Sequence, residues 1–379
     1  MKTNIAILGL GTVGYGVYDI ITKSSYLKNV KIKKILDLNL SRNEEVGGII
    51  TPNYEDILND KEISVIIETM GAGSFSYKCI KEALINKKHV ITANKEVIAA
   101  YAQELTELKK ENKVSLYYEA SVGGGIPIIK PLHLVSHTNN ISGIYGILNG
   151  TTNYILTQMD NRGLSFKEAL KEAQEKGFAE ADPTNDLEGL DMVRKIAILS
   201  MIAYHGSINI KNAYHYGISN VTSFDIDYAK EKGYALKFLA TSLISNNKVE
   251  LRVEPHFINS SDVISKTNNE FNIVEVDADL NSDLMFYGKG AGRYPTACAI
   301  VNDLIMILNK DKNYSIDFSR KLSVTKSSSK AKYYIRVKNI KKIDQKIIEK
   351  IERNVIITKM INFEDINLDG VSFYAKIGK

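Results

Sequence analysis

A carboxylate and a lysine on one predicted helix are the most chemically suggestive pair in the sequence. Asp191 and Lys195 stand four residues apart, so on a helix they share one face. A pair of this spacing is usually a surface salt bridge. Here the helix continues from Ile196 to Tyr204 with apolar residues on nearly every side, which indicates a buried helix. We therefore predict that the pair faces a pocket, where a lysine beside a carboxylate is suited to proton transfer.

A glycine-rich turn near the start of the chain predicts a nucleotide-binding loop. Gly9, Gly11 and Gly14 form a GxGxxG motif between an apolar strand-like run and a helix-like run. In that context the first glycine permits a tight turn, the second lets the backbone approach a pyrophosphate, and the third lets the helix pack closely. Thr12 and Val13 lie inside the motif and are candidate cofactor residues with the glycines.

Asp37 ends the predicted second strand, at the position that selects the coenzyme in such folds. A carboxylate there accepts hydrogen bonds from the adenosine ribose and repels a 2′-phosphate, which favours NAD over NADP. The alternative is a solvated aspartate at a strand end, because Lys34 and Arg42 lie close by in the sequence and could instead meet a phosphate. Arg42 is therefore a second candidate cofactor residue.

A short polar segment follows the predicted strand at 88–92. Thr92, Asn94 and Lys95 would therefore lie at the carboxyl edge of the sheet, where ligands of such folds bind. A lysine there can polarise a carbonyl group, whereas a bare lysine is more often a solvated surface charge. We take these three residues as candidates for contact with a coenzyme.

The elements that must position these residues alternate in type, which predicts an α/β protein with an N-terminal Rossmann-type doubly wound parallel sheet. That first domain spans 1–130 and is completed by 286–310, where Pro295 opens a last helix. Its strands are expected at 4–9, 30–38, 64–68, 88–92 and 114–118, and its helices at 12–22, 75–86 and 95–111. An α+β domain over 131–285 follows. Its strands are expected at 141–148, 235–245 and 248–258, and its helices at 151–161, 165–176 and 186–205.

The segment 321–379 is basic, with 14 Lys or Arg residues against 6 Asp or Glu residues. Its pattern predicts a strand at 333–337, a helix at 341–351 and strands at 355–358 and 371–376. A nucleic-acid partner would require basic residues interleaved with aromatic ones on one face. The abundance of Lys, Asn and Ile indicates a general compositional bias instead, so we predict no nucleic-acid partner.

Length and composition predict an ordinary globular protein. The chain has 379 residues, of which 44% are apolar and 25% charged, which corresponds to two or three domains. Its longest apolar runs fall far short of the about 18–20 residues that span a bilayer, and no signal-peptide cleavage site is apparent. We expect a cytoplasmic location and no membrane partner. Cys79 and Cys298 cannot form a disulfide framework, and no zinc-binding spacing occurs.

Five segments resemble, in order, the motifs of the homoserine dehydrogenase family. They are Val90–Lys95, Glu119–Ile129, Ile147–Ile155, Ala173–Lys195 and Gly288–Ala299. With the glycine-rich turn, the match extends over residues 4–309. The resemblance implies reversible NAD- or NADP-dependent hydride transfer between L-aspartate 4-semialdehyde and L-homoserine, in the synthesis of threonine, methionine and isoleucine. It also implies a homodimer or homotetramer that acts on a small-molecule substrate.

The resemblance implies roles for individual residues. Lys195 and Lys95 correspond to catalytic lysines, and Asp191 to the carboxylate that works with Lys195. Glu180 corresponds to the carboxylate that receives the substrate ammonium, with Asp186 beside it. The remaining candidates are Gly150 and Thr151 for the substrate, and Gly290 and Gly292 for the coenzyme.

The loop that begins at Glu119 resembles the family's site for a monovalent cation. Its candidate oxygen ligands are Glu119 and the backbone carbonyls of Val122, Gly124 and Ile126. Such low-charge oxygen coordination suits Na⁺ or K⁺ better than zinc. The residues at 37–39, Asp-Leu-Asn, stand where many bacterial members carry an arginine, which argues against an NADP preference.

The order β-α-β-β at 321–379 resembles a shortened ACT domain, the amino-acid-sensing module of many family members. The alternative is that the segment only covers a sheet edge or helps oligomerisation. Two rival functions remain. A phosphorylating semialdehyde dehydrogenase would need a thiolate nucleophile from Cys79 or Cys298. A nucleotide-sensing regulator would not need Lys95, Glu180 and Lys195 together.

Overall fold

A computed structural model describes residues 2–71, 73–311, 314–327 and 329–379. Its strands are β1 Thr3–Leu8, β2 Val30–Leu36, β3 Ile50–Thr51, β4 Ile63–Glu68, β5 His89–Thr92, β6 Leu116–Tyr117, β7 Ile141–Ile147, β8 Gly206–Ser207, β9 Tyr214–His215, β10 Tyr234–Ser245, β11 Lys248–Asn259, β12 Phe271–Ala278, β13 Ser282–Lys289, β14 Arg320–Lys321, β15 Ser323–Thr325, β16 Lys332–Val337, β17 Ile348–Glu352, β18 Val355–Thr358 and β19 Val371–Ile377. Its α-helices are α1 Thr12–Lys23, α2 Glu55–Leu58, α3 Ser74–Ile85, α4 Lys95–Asn112, α5 Ile129–Val135, α6 Gly150–Arg162, α7 Phe166–Glu175, α8 Thr184–Leu187, α9 Leu190–Tyr204, α10 Ser223–Glu231 and α11 Arg293–Leu308.

These elements form two compact units. The first consists of Met1–Leu134 and Lys289–Phe318, and the second of Val135–Gly288 and Ser319–Lys379. The chain therefore leaves the first unit after Leu134, returns to it for α11, and leaves it again after Phe318.

The first unit contains a parallel sheet in the order β3-β2-β1-β4-β5-β6. Residues Ile5–Leu8 of β1 are fully buried, as expected for a parallel strand covered on both faces. The strand order reverses at β1, whose neighbours are β2 and β4, and ligands of doubly wound sheets bind at such a switch point. The predicted Rossmann-type sheet is confirmed.

The second unit contains a mixed sheet whose main path is β13-β12-β7-β10-β11-β19-β16-β18-β17. The hairpin of β10 and β11 turns at Asn246 and Asn247, which have φ angles of 50° and 59°. Two residues with positive φ make the turn whose twist matches a β-hairpin, and asparagine tolerates this conformation. The predicted α+β architecture is thus present, and helix α9 packs against β7, β10 and β11.

One predicted helix, at 186–205, is in fact two. Helix α8 ends at Leu187, and α9 begins after Gly189, whose φ is 83°. A Cβ atom at Gly189 would lie 2.6 Å from Val253 Cγ1 and 2.9 Å from Phe238 Cζ. A glycine is needed here both for its left-handed conformation and for the close approach of α9 to the sheet.

The predicted helix at 341–351 is wrong. This segment forms short 3₁₀ turns at Ile340–Lys342 and Gln345–Ile347 and then strand β17. Asp344 accepts a hydrogen bond from Lys346 N and so caps the start of the second turn. From residue 332 onward, the tail (residues 321–379) therefore has the order β-β-β-β rather than the predicted β-α-β-β. It extends the sheet of the second unit, because β19 pairs with β11 at Lys376.

Candidate active site

Asp191 and Lys195 form a buried ion pair on α9, as their spacing predicts. Lys195 Nζ lies 2.7 Å from Asp191 Oδ2, and the two side chains are 12% and 8% exposed. The same ammonium donates to the carbonyl oxygen of Leu148 at 2.7 Å. These two bonds fix the lysine head at the junction between β7 and α6.

Asn149 connects this pair to a second carboxylate. Its Nδ2 group donates to Asp186 Oδ1 at 2.8 Å and to Asp191 Oδ2 at 3.0 Å. Its Oδ1 atom accepts from Thr152 N at 2.9 Å and thereby caps α6. Sequence reasoning assigned no role to Asn149, although an asparagine directly before a predicted helix is an N-cap signal.

The other predicted substrate residues lie around the start of α6. Thr151 Oγ1 donates to Phe178 O at 2.5 Å, which ties α6 to the loop after α7. A Cβ atom at Gly150 would lie 3.0 Å from Glu270 O, so only glycine fits there without displacing that chain. Glu180 lies in the same loop as Phe178 and is exposed. The structure thus joins Asp186 to the buried pair and leaves Glu180 open to solvent.

In the first unit, the predicted glycine loop has the geometry of a phosphate-binding turn. Gly9 has a φ of 93°, and a Cβ atom at Gly14 would collide with the Gly9 carbonyl oxygen. A Cβ atom at Gly11 would meet no atom within 4 Å, so the backbone there is open to a ligand. The amides of Thr12 and Val13 open α1 and have no helical acceptor. The loop therefore fits a pyrophosphate.

A cavity of about 510 Å³ lies beside this turn. It is lined by Gly9, Gly11, Leu36, Asp37, Leu38, Pro52, Thr69, Met70 and Phe75. The Asp37 carboxylate accepts from Leu10 N at 2.7 Å and from Asn39 N at 2.8 Å. Asp37 thus braces the glycine turn and also borders the cavity where an adenosine ribose would lie.

Two guanidinium groups flank the ring of Tyr15 on α1. Arg42 and Arg293 each lie 5.6 Å from the ring centroid, and Arg42 Nη1 donates to Leu10 O at 3.3 Å. Arg42 is therefore held against the glycine loop. Arg293 was not among the predicted cofactor residues, because its separation of more than 250 residues from the loop conceals the contact.

Thr92 and Asn94 shape the start of α4 at the carboxyl edge of the sheet. Asn94 Oδ1 accepts from Val97 N at 3.1 Å, and Thr92 Oγ1 accepts from Asn94 N at 2.9 Å. Lys95 is the first residue of α4 and is half-buried. The structure places Lys95 at the edge predicted for it.

The predicted return loop lies against the loop after Glu119. A Cβ atom at Gly124 would lie 2.5 Å from Gly290 O, and Gly125 N donates to Lys289 O at 3.2 Å. Gly292, with a φ of 118°, precedes α11. Both loops are therefore in backbone contact within the first unit.

The Glu119 carboxylate is a brace for helix α5. It accepts from the amides of Ile128, Ile129 and Lys130 at 2.7, 2.6 and 3.0 Å. Burial raises the pKa of Glu119, while the three amides oppose that rise. Both oxygens of the Glu119 carboxylate therefore accept hydrogen bonds from backbone amides.

Three carbonyl oxygens, those of Val122, Gly124 and Ile126, accept no hydrogen bond in the part of the chain that is described. They lie on a loop closed by two left-handed glycines, Gly123 and Gly124, with φ angles of 71° and 54°. Neutral carbonyl oxygens of this kind fit a monovalent cation.

Cys79 is unsuited to provide a reactive thiolate. Cys79 lies on α3 and its side chain is fully buried, which raises the pKa of its thiol to about 12. Cys298 is exposed on α11. Because a thiolate is the nucleophilic form, a buried Cys79 is unsuited to covalent catalysis.

Comparison with known proteins agrees with this geometry. Family models match at residues 9–119, described as the NAD binding domain of homoserine dehydrogenase, and at 127–305, described as homoserine dehydrogenase. The homoserine dehydrogenase of Bacillus subtilis is 40% identical over 313 residues, which cover 80% of this chain and 72% of that protein. The chain belongs to the homoserine dehydrogenase family.

Further homoserine dehydrogenases agree over similar lengths. The Synechocystis homoserine dehydrogenase is 39% identical over 84% of this chain and 77% of its own length. The crystal structure of the Thiobacillus denitrificans homoserine dehydrogenase matches with a TM-score of 0.91 at 31% identity, over 100% of this chain and 99% of that one. The chain is therefore an oxidoreductase with the NAD-binding and catalytic domains of homoserine dehydrogenases. Among the described residues, no helix is both long and apolar enough to cross a bilayer.

Proposed function

We propose that this chain transfers a hydride reversibly between L-aspartate 4-semialdehyde and L-homoserine, with Lys195 as the group that exchanges a proton with the substrate. The observation that carries this assignment is the buried cluster of Lys195, Asp191 and Asn149. Lys195 is 12% exposed and lies 2.7 Å from the Asp191 carboxylate. Burying such a charged pair costs free energy that the attraction between the charges need not repay, so its presence here points to function rather than to stability.

The hydrogen bonds of Lys195 leave one proton for the substrate. An ammonium group has three N–H donors, and two of them go to Asp191 Oδ2 and Leu148 O. The third donates to the aldehyde oxygen as the hydride arrives. In the oxidising direction, the amine form accepts the hydroxyl proton of homoserine. Asp191 stabilises the charged form of Lys195, and Asn149 orients Asp191.

Carboxylates near α8 bind the amino group of the substrate. Glu180 is the partner of the ammonium, and Asp186, bonded to Asn149 at 2.8 Å, supports it. Gly150 and Thr151 open α6, and their helix start suits the substrate carboxylate. Lys95, at the coenzyme edge of the first unit, is the second catalytic lysine.

A bound nicotinamide nucleotide supplies or accepts the hydride. The open backbone at Gly11 and the free amides at the start of α1 fit its pyrophosphate, with Thr92, Asn94, Gly290 and Gly292 at the same unit's ligand edge. Asp37 favours NAD, because its carboxylate borders the cavity. Arg42 and Arg293 are the cations that would favour NADP, and an archaeal homoserine dehydrogenase in complex with NADPH resembles this chain with a TM-score of 0.70 at 25% identity.

The unused carbonyls of Val122, Gly124 and Ile126 would hold Na⁺ or K⁺, with Glu119 bracing their loop through α5. The role of the ion is structural. We further propose that the protein acts in the cytoplasm as a homodimer or homotetramer, in the synthesis of threonine, methionine and isoleucine.

A spectrophotometric assay tests the proposed activity. Purified protein should reduce NAD or NADP only when L-homoserine is added, and should oxidise the reduced coenzyme when aspartate semialdehyde is added. Omission of homoserine and replacement by L-serine, which is one methylene shorter, are the controls. Absence of homoserine-dependent reduction with both coenzymes and with added K⁺ or Na⁺ would refute the proposal.

A further inference from the structure

Glu68 is a completely buried carboxylate at the end of β4, in the first unit. Its Oε1 atom accepts from Met70 N at 2.8 Å, and its Oε2 atom accepts from Thr92 Oγ1 at 2.5 Å. Both carboxylate oxygens are therefore acceptors, one for the backbone after β4 and one for the end of β5. The residue links the two neighbouring strand ends at the ligand edge of the sheet.

The bond to Thr92 belongs to a directed series. Thr92 Oγ1 accepts from Asn94 N at 2.9 Å, so its own proton is directed to Glu68. Asn94 in turn caps α4 through Val97 N and donates to Gly71 O at 2.6 Å. The Glu68 carboxylate thereby fixes the turn from which Lys95 begins α4.

The bond to Met70 acts on the glycine turn. A Cβ atom at Gly9 would lie 3.1 Å from Met70 Cα, so the two backbones are in close contact. Thr69 Oγ1 also donates to Gly9 O at 2.9 Å. Thr69 and Met70, which follow Glu68, thus pack against the glycine turn that would bind the pyrophosphate.

Burying this carboxylate is unfavourable for stability. Burial raises the pKa of Glu68, and the hydrogen bonds from Thr92 and Met70 only partly oppose that rise. Removing a carboxylate from water costs free energy, which its hydrogen bonds offset only in part. A costly charge at the ligand edge therefore points to a role in geometry rather than in stability.

We infer that Glu68 is a positioning residue that fixes Lys95 through Thr92 and Asn94, and the coenzyme turn through Met70. This inference rests on the proposed function, in which Lys95 is catalytic and Gly9 and Gly11 bind the coenzyme. It assigns no contact between Glu68 and the substrate or the coenzyme.

The variant Glu68→Gln tests the inference with little change in shape. The amide oxygen can still accept from Met70 N, but the amide NH₂ can only donate toward Thr92 Oγ1. The Thr92 proton therefore loses its carboxylate acceptor, and the direction of the Thr92–Glu68 bond is lost. Thr92→Val keeps the carboxylate but removes the hydroxyl that binds it, together with the acceptor for Asn94 N. Thr106→Val is the matched control, since Thr106 is a buried threonine of α4 away from its start.

We expect Glu68→Gln and Thr92→Val each to lower kcat by about 10–100-fold, as displaced catalytic groups do, and to weaken binding of NADH or NADPH measured by coenzyme fluorescence. The loss in the double variant should be smaller than the sum of the two single losses, because both variants remove the bond between Thr92 and Glu68. Thr106→Val should lower only the melting temperature.

Two results would overturn the inference. One is a folded Glu68→Gln protein with wild-type kcat and coenzyme affinity, and the other is fully additive losses in the double variant. If Glu68→Gln does not fold, wild-type kcat and coenzyme affinity in Thr92→Val would overturn the inference instead. A failure of the proposed function is seen separately, as wild-type kcat in both Lys95→Ala and Lys195→Ala.

Discussion

In the first unit, the carboxylates of Asp37 and Glu119 accept hydrogen bonds from backbone amides, whereas the charged and amide side chains at the candidate site of the second unit also bind one another. Asp37 accepts from the amides of Leu10 and Asn39, and Glu119 accepts from amides at the start of α5. In the second unit, Asn149 donates to two carboxylates, of which Asp191 also binds Lys195.

This difference follows from what each unit must recognise. A coenzyme phosphate is bound well by backbone amides and a helix start, so side chains are needed mainly to shape the backbone. A proton must be exchanged by a titratable side chain at a fixed position, which other side chains must orient. A substitution within the Lys195, Asp191 and Asn149 cluster should therefore affect the chemical step directly, whereas one of the backbone-bound carboxylates of the first unit should act through geometry or coenzyme choice.

The largest effect is expected from Lys195→Ala. Loss of the proton-exchanging group should lower kcat by about 10²–10⁴-fold, with less change in coenzyme affinity, and Asp191→Asn should act in the same direction. Steady-state kinetics in both directions measure this.

Lys171→Ala is the matched control for this variant. Lys171 pairs with Glu175 at the same i,i+4 spacing, but the two side chains are 78% and 64% exposed. Its removal should leave kcat unchanged. Near wild-type kcat in both Lys195→Ala and Lys95→Ala would contradict the assignment of proton exchange to these lysines.

A smaller effect is expected from Asn149→Asp. Aspartate is as good an N-cap as asparagine, so α6 should keep its start. The change replaces a donor with a third carboxylate beside Asp186 and Asp191, and losing a hydrogen bond to a charged group should lower kcat/KM by about tenfold or more. Circular dichroism checks the fold. An unchanged kcat/KM would show that the side-chain network does not orient Lys195.

The next effect concerns coenzyme choice in the first unit. Because the Asp37 charge lies at the cavity edge, kcat/KM should be higher for NAD than for NADP. The ratio should be about tenfold or more, since two like charges within about 12 Å repel by about 1.4 kcal/mol or more at an effective dielectric constant near 20. Asp37→Asn removes the charge and should reduce that ratio. A clear NADP preference in the wild type, lost on Arg42→Ala, would show instead that the cations around Tyr15 dominate.

Local sequence patterns predicted the parts of this molecule that depend on neighbours along the chain. The parallel strands, the glycine turn and the i,i+4 pair of Asp191 and Lys195 follow from periodicity and spacing. Asn149 and Glu68 were missed, because their importance lies in partners distant in sequence, such as Asp186 and Thr92.

The predicted helix at 341–351 failed for a related reason. Its spacing of apolar residues is compatible with a helix, but strand β17 gains its hydrogen bonds by pairing with β18. Tertiary pairing of this kind overrides a local preference. A second pairing that periodicity does not reveal, that of β19 with β11, makes the tail part of the second unit's sheet.

The smallest effect on activity is expected from threonine. The described residues of the tail form no α-helix, unlike the sensing module that the sequence resembles. The tail is joined to α10 by Asp225, a fully buried carboxylate that accepts from Tyr334 OH at 2.7 Å and Arg336 Nε at 2.8 Å. Such anchoring suits a structural tail. We therefore expect saturating L-threonine to change kcat or KM by less than the about 5-fold that marks a typical allosteric coupling.

Arg336→Leu separates a structural tail from a sensing one. Removing one partner of a buried ion pair should lower the free energy of unfolding by about 3 kcal/mol, measured by urea denaturation, while kcat at a temperature where the protein is folded stays the same. Strong threonine inhibition that Arg336→Leu abolishes would reverse this conclusion, because a tail that only stabilises the second unit has no means of responding to threonine.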